Sequence, residues 1–240
     1  MSDVASCAPL SIRVNRSSEE LEMRKLCASE LRKLWPDARI IHELPTRYST
    51  NRIDLAAVTE TEIVALEIKS SRDVADRLEA QLRAFEPIAH RLIVALAPKW
   101  AEQLPPREET RKMPRGSTYT AFVPQYNEAQ AAIHRVGSWK ICVWTVNAEA
   151  GTVQRTPLSY RIEQSWARRM LDILHVQELV VIAGRHRVSS HLKSTHFDLA
   201  TRCAELMTGR EVERAVCAAL RRRDAFDQAS DAPIFDGDAA

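Results

Sequence analysis

Among its 240 residues the chain has no run of about 18 apolar residues, the length a helix needs to cross a bilayer. Its first stretch, "MSDVASCAPLSIRVNRSS", lacks the basic start and apolar core of a signal peptide. Cysteine is sparse: Cys7, Cys27, Cys142, Cys203 and Cys217 are scattered, with no CxxC and no paired Cys/His spacing. That argues against a zinc site and a disulfide framework and favours a reducing cytoplasm. The six glycines form no phosphate-binding loop, so an ATP-driven activity is not expected. There is no internal repeat and no low-complexity tract. The net charge of +2 is too small to imply an acidic partner.

What is present is a chain long enough for a real core, with its charge unevenly spread. From Arg161 to Arg223 there are twelve Lys/Arg against seven Asp/Glu, and four of the seven histidines. The tail after it, "DAFDQASDAPIFDGDAA", has five acids and no base. A basic segment followed by an acidic end suits a nucleic-acid binder, and a bland solvated surface gives the same count about as readily.

Residues 1–16 show no period and are expected to be disordered. "SSEELEMRKLCASELRKLWPD" opens with Ser17 and Glu20 at capping-box spacing. Met23, Leu26, Cys27, Leu31, Leu34 and Trp35 then recur at helical spacing until Pro36. "RIIHEL" is a strand, "RIDLAAVTETEIVALEIK" a hairpin, and Val74, Leu78, Leu82 and Phe85 mark a helix from about Asp73. "RLIVALAP" is a strand covered on both faces. Residues 98–125 are polar and Pro-containing, with Arg107, Arg111, Lys112 and Arg115, and read as a flexible loop near the substrate. "NEAQAAIHRV" and "WKICVWTV" add a helix and a strand. The order predicts an α/β fold, a mixed sheet flanked by helices, over residues 17–147. Residues 148–226 read as helical and 227–240 as a disordered acidic tail.

The hairpin carries the chemistry. With its turn centred on Glu60 and Thr61, facing residues sum to 121, so Asp54 faces Glu67. Opposed side chains sit roughly 4.5–5.5 Å apart at Cβ, and two carboxylates so placed among Ile, Leu, Val and Ala repel each other unless a cation lies between them. Lys69 shares the face of Glu67 by period two, and Arg52 would face Lys69. Asp54 and Glu67 would hold Mg²⁺ (or Mn²⁺), a hard ion that prefers oxygen. Lys69 would orient a water or stabilise the phosphorane-like transition state. The same residues read equally well as a salt-bridge cluster on a solvated strand.

At these residues the sequence resembles the PD-(D/E)XK nuclease superfamily, the restriction-endonuclease-like fold, whose motif is an acid on one strand and E-x-K on the next. Here these are Asp54 and Glu67-Ile68-Lys69, with Ile53 in place of the motif's proline. A closer likeness is to a group of bacterial and phage proteins within it. They follow "EIKS" with a pattern met here by Asp73, Arg77, Leu78, Gln81 and Phe85. The resemblance implies an α-β-β-β-α-β core, a supporting catalytic role for Gln81, and a third metal ligand at Glu43, with Glu20 or Glu30 as alternatives. It also implies DNA as partner, with Arg52 and Arg77 near it, and in many relatives a homodimer. The segment 174–206 looks like a SAP-type helix-extension-helix module, with Arg185, Arg187 and Lys193 for phosphates. A helical hairpin packed on the core reads the same residues without DNA.

His186, His191 and His196 are five apart, which fits no metal pair on a helix, and are expected at the surface. Trp100, Trp139, Trp144, Trp166 and Cys217 are expected in the core. Three functions remain open: a metal-dependent nuclease acting on DNA, a non-catalytic DNA-binding or adaptor protein of the same fold, and a structural interaction module.

Overall fold

The computed structural model describes residues 17–46, 51–114, 116–158, 165–189, 194–224 and 229–235. The expected disordered start, residues 1–16, lies outside them. Ser17 caps α1 (Ser18–Leu34), its hydroxyl accepting from the Glu20 N–H at 3.1 Å. Three strands follow, β1 (Arg39–Pro45), β2 (Arg52–Val58) and β3 (Ile63–Lys69). Every residue of β3 is buried, as a strand covered on both faces must be. Then come α2 (Leu78–Phe85), β4 (Arg91–Leu96), α3 (Pro98–Ala101), β5 (Leu104–Lys112), β6 (Thr118–Gln125), α4 (Glu128–Val136) and β7 (Ile141–Asn147). The chain continues through β8 (Thr152–Arg155), α5 (Ala167–Leu171), α6 (Val176–Arg185), α7 (His196–Leu206) and α8 (Gly209–Arg222).

The sheet is mixed, with order β1-β2-β3-β4-β7-β8. β1, β2 and β3 are antiparallel neighbours, β3, β4 and β7 are parallel, and β8 returns antiparallel to β7. The predicted hairpin register holds: Leu55 pairs Leu66 and Val58 pairs Ile63. The turn closes with the Thr59 N–H donating to the Glu62 carbonyl at 3.0 Å.

Two apolar cores lie on the two sides. One joins Met23, Cys27 and Leu31 of α1 to Leu55, Leu66 and Ile93, with Ala129 and Ala132 of α4. The other joins Ile41, Ile53, Ala56 and Ile63 to Leu171, Leu179, Leu199, Val216 and Leu220 of α5–α8. The helices after β8 therefore form the second layer of the same sheet.

Several expectations are corrected. The helix placed from Asp73 starts at Leu78, because Asp73 turns back to accept from the Ser70 N–H at 2.7 Å and leaves Val74 exposed. Residues 98–125 are a short helix and a two-stranded ribbon, with Arg111 opposite Tyr119 and Glu109 opposite Ala121. A ribbon exposed along almost its whole length needs no hydrophobic alternation, so its sequence looked like a loop. Residues 148–226 are not wholly helical, since 152–155 form β8.

The acidic tail is likewise ordered at 229–235. The Asp231 N–H donates to the Ile40 carbonyl at 2.9 Å, and the Ile40 N–H to Asp231 Oδ2 at 2.8 Å. Trp144 and Trp100 are core residues as expected, as is Cys217, but Trp139 and Trp166 are exposed. His196 is buried, its Nε2 3.0 Å from the Leu174 carbonyl.

Candidate active site

The site forms where β1, β2 and β3 lose regular pairing. β1 pairs β2 at His42–Leu55 and Leu44–Ile53, so Glu43 and Asp54 lie between paired positions. Glu43 has φ +55, the left-handed region that costs a non-glycine residue about 1–2 kcal/mol. Alternation slips there, so that Ile41 and Leu44 both join the core under α5–α8. β2 pairs β3 as far as Leu55–Leu66. One residue further, Asp54 turns its carboxylate onto the next strand, Oδ2 accepting from the Ile68 N–H at 2.8 Å.

Glu67 is 2% exposed. Its Oε1 accepts from Lys69 Nζ at 2.8 Å, and its Oε2 has no hydrogen-bond donor. Burial first, and then the charge of the Asp54 carboxylate, push the Glu67 pKa well above the carboxylate range; Lys69 opposes both. Lys69 Nζ also donates to Gln81 Oε1 at 3.0 Å. Asp54, Glu67, Lys69 and Gln81 are thus one group, fed by β2, β3 and α2.

Glu43 comes in through a residue that sequence reasoning missed. Arg24, 4% exposed on α1, places Nη2 2.9 Å from Asp54 Oδ1, 3.1 Å from Glu43 Oε1 and 3.3 Å from Glu20 Oε1. Its Nη1 donates to the Asp54 carbonyl at 2.6 Å. Burial lowers the Arg24 pKa, but Asp54 and Glu43 more than offset that, and it is raised overall. Burial raises the pKa of Glu20 despite Arg24. The signal was an arginine inside the apolar stripe, between Met23 and Cys27. Glu30 is elsewhere, paired with Lys33 and Arg155.

Among the described residues no three acidic, histidine or cysteine side chains converge as ready-made metal ligands. A two-oxygen set does fit a hard cation: the donor-less buried Glu67 Oε2 beside Asp54. Glu20, Glu43, Asp54 and Glu67 also outnumber Arg24 and Lys69. Arg52 and Arg77 are exposed; Arg52 pairs with Pro45 at the start of β2, and Arg77 stands at the N-cap of α2. Arg185 and Arg187 are exposed on the α5–α8 layer rather than in this group, and Lys193 lies outside the described residues. No helix among the described residues is long and apolar enough to cross a membrane.

The model of a family described as Bacteriophage P4 protein cII matches residues 16–109, a span holding Arg24, Glu43, Asp54, Glu67, Lys69 and Gln81. No curated protein matches the chain. Among solved structures, a protein of unknown function from Silicibacter pomeroyi is similar at 14% identity, covering 75% of this chain and 100% of that one, with a TM-score of 0.40.

Proposed function

We propose that this chain is a metal-dependent nuclease with a restriction-endonuclease-like core, hydrolysing phosphodiester bonds in DNA. The observation that carries the reading is Lys69 Nζ held between Glu67 Oε1 at 2.8 Å and Gln81 Oε1 at 3.0 Å, beside a donor-less carboxylate oxygen. An ammonium fixed on two sides and 8% exposed loses little freedom when a phosphate or water arrives.

Asp54 and Glu67 would hold the ion, Mg²⁺ or Mn²⁺, through oxygen. When bound, the ion supplies Lewis acidity to the phosphoryl group and makes a coordinated water more acidic. Lys69 then orients the attacking water or meets the charge that develops on the phosphoryl oxygens. Gln81 sets the Lys69 rotamer. The exposed cations Arg52 and Arg77 suit the phosphate backbone, and the likeness to a bacteriophage P4 protein fits a phage setting.

A second reading, a DNA-binding protein without catalysis, is favoured by Arg24, which already meets the charge of Asp54 and Glu43. End-labelled single-stranded, duplex and forked DNA separates the two. With Mg²⁺ or Mn²⁺ the chain should cut, EDTA should stop it, and Lys69→Ala should slow it by roughly 10²–10³-fold, the effect of losing one positioned donor. Binding without cutting, unchanged by Lys69→Ala but lost in Arg185→Ala/Arg187→Ala, selects the second reading.

A further inference from the structure

Asp54 offers two carboxylate oxygens, and both are engaged. Oδ2 is tied to the β3 backbone through the Ile68 N–H at 2.8 Å, and Oδ1 lies 2.9 Å from Arg24 Nη2. An ion held by Asp54 and Glu67 would have to use one of these oxygens. The Ile68 N–H fixes Oδ2 toward β3, so an ion that approaches Asp54 from the Oδ1 side meets Arg24.

We infer that Arg24 is a built-in competitor for the metal: its guanidinium and the divalent ion are alternative occupants of the Asp54 carboxylate, and loading the ion displaces Arg24. This deepens the metal-dependent reading and rests on it. Three independent features carry it. The Arg24 Nη2 atom meets Glu20, Glu43 and Asp54 from three different elements at 2.9–3.3 Å, so its charge is shared among three carboxylates. Arg24 is nevertheless poorly satisfied, since its buried Nε has no hydrogen-bond partner. Next to it, Glu67 keeps a buried oxygen without a donor, which Arg24 does not serve. A guanidinium spread over three acids, with one face unmet, is held by charge and exchangeable for charge.

Two cations cannot share Asp54 Oδ1 at contact distance without strong repulsion. The consequence is that metal affinity in the free chain is set below what its acids allow, and Arg24 is released toward the incoming phosphates only when the ion is in place. Glu20 belongs to the device, as it grips Arg24 from one turn earlier on α1, and not to the metal pair.

The test is Mn²⁺ binding by calorimetry, with melting temperature measured with and without Mn²⁺, on full-length wild type, Arg24→Met, Glu20→Gln and Asp54→Asn. Arg24→Met should bind Mn²⁺ roughly tenfold tighter, the scale on which one neighbouring charge alters a carboxylate's hold on a cation. Its melting temperature should rise more with Mn²⁺ than that of wild type. Glu20→Gln, which leaves the fold's packing in place should Arg24→Met not fold, should also bind tighter, by severalfold, although it removes an acid. Asp54→Asn should abolish binding. Equal or weaker Mn²⁺ affinity in Arg24→Met or Glu20→Gln, with wild type binding normally, overturns the competition and leaves the nuclease reading standing. No Mn²⁺ binding by any of the four overturns both.

Discussion

Glu67 and Lys69 are buried polar groups that the fold tolerates because each meets the other at 2.8 Å. Breaking such a pair from one side is costly, as it leaves a charge without its partner. His90 shows the same logic in a structural role. It is buried, and its Nδ1 accepts from the Ile63 N–H at 3.0 Å, so that nitrogen has no room for a proton. Burial lowers its pKa; Glu213 at 3.3 Å and Glu62 oppose the shift, and Lys140 reinforces it. The sign follows from proton counting: below about 6.5 the unfolded chain gains a proton on this residue and the folded chain does not. Stability from His90 is therefore complete above that pH and lost as pH falls through it, by at most about 1.4 kcal/mol per pH unit. Urea titrations at pH 7.5, 6.5 and 5.5 should give His90→Asn, which keeps an acceptor for Ile63, a flatter pH dependence than wild type. Parallel slopes would refute this.

At the level of elements, the free edge of β1 is closed by the chain's own tail. Ser230 Oγ accepts from the His42 N–H at 2.9 Å, and Asp231 exchanges two hydrogen bonds with Ile40. Arg39 lies beneath, donating to the carbonyls of Leu220, Arg221 and Arg223 at the end of α8 and to Asp231. A cation at a helix C-terminus satisfies orphan carbonyls and the helix dipole together. An open strand edge is a template for a second chain. Deleting residues 229–240 should lower stability by about 2 kcal/mol, a few hydrogen bonds at roughly 1 kcal/mol each less the regained chain entropy. It should also increase self-association in light scattering relative to the full chain. A truncated chain with unchanged melting and mass would show that the tail is decoration.

Over the whole molecule, the basic count of the C-terminal half has a partly internal explanation. Arg221 donates to the Asp37 carbonyl, and Arg223 to Glu178 and the Ile173 carbonyl. These charges hold the helical layer together and are not available to phosphates. Because α5–α8 share a core with β1–β4, a cut at residue 147 would expose Ile41, Leu44, Ile53 and Ala56 on one face of the sheet. The full chain should unfold in urea in one transition, the same by fluorescence and circular dichroism. Residues 17–147 alone should bind hydrophobic dyes and melt without cooperativity. A sharp melt of that fragment would show that residues 17–147 fold on their own.

The local sequence determined much of this. Period two and a two-residue turn set the β2–β3 register and with it the Asp54–Glu67–Lys69 grouping, because a hairpin with one register leaves no other choice. The α1, β4 and α4 periods located their elements within a residue or two. Tertiary structure alone decided the rest. Arg24 meets Asp54 across thirty positions of sequence and Asp231 meets Ile40 across 191, and no period records such distances. The exposed β5–β6 ribbon left no alternation to read. The Arg24–Asp54 contact was equally invisible, since a charged residue in an apolar stripe does not reveal its partner until the layers are packed.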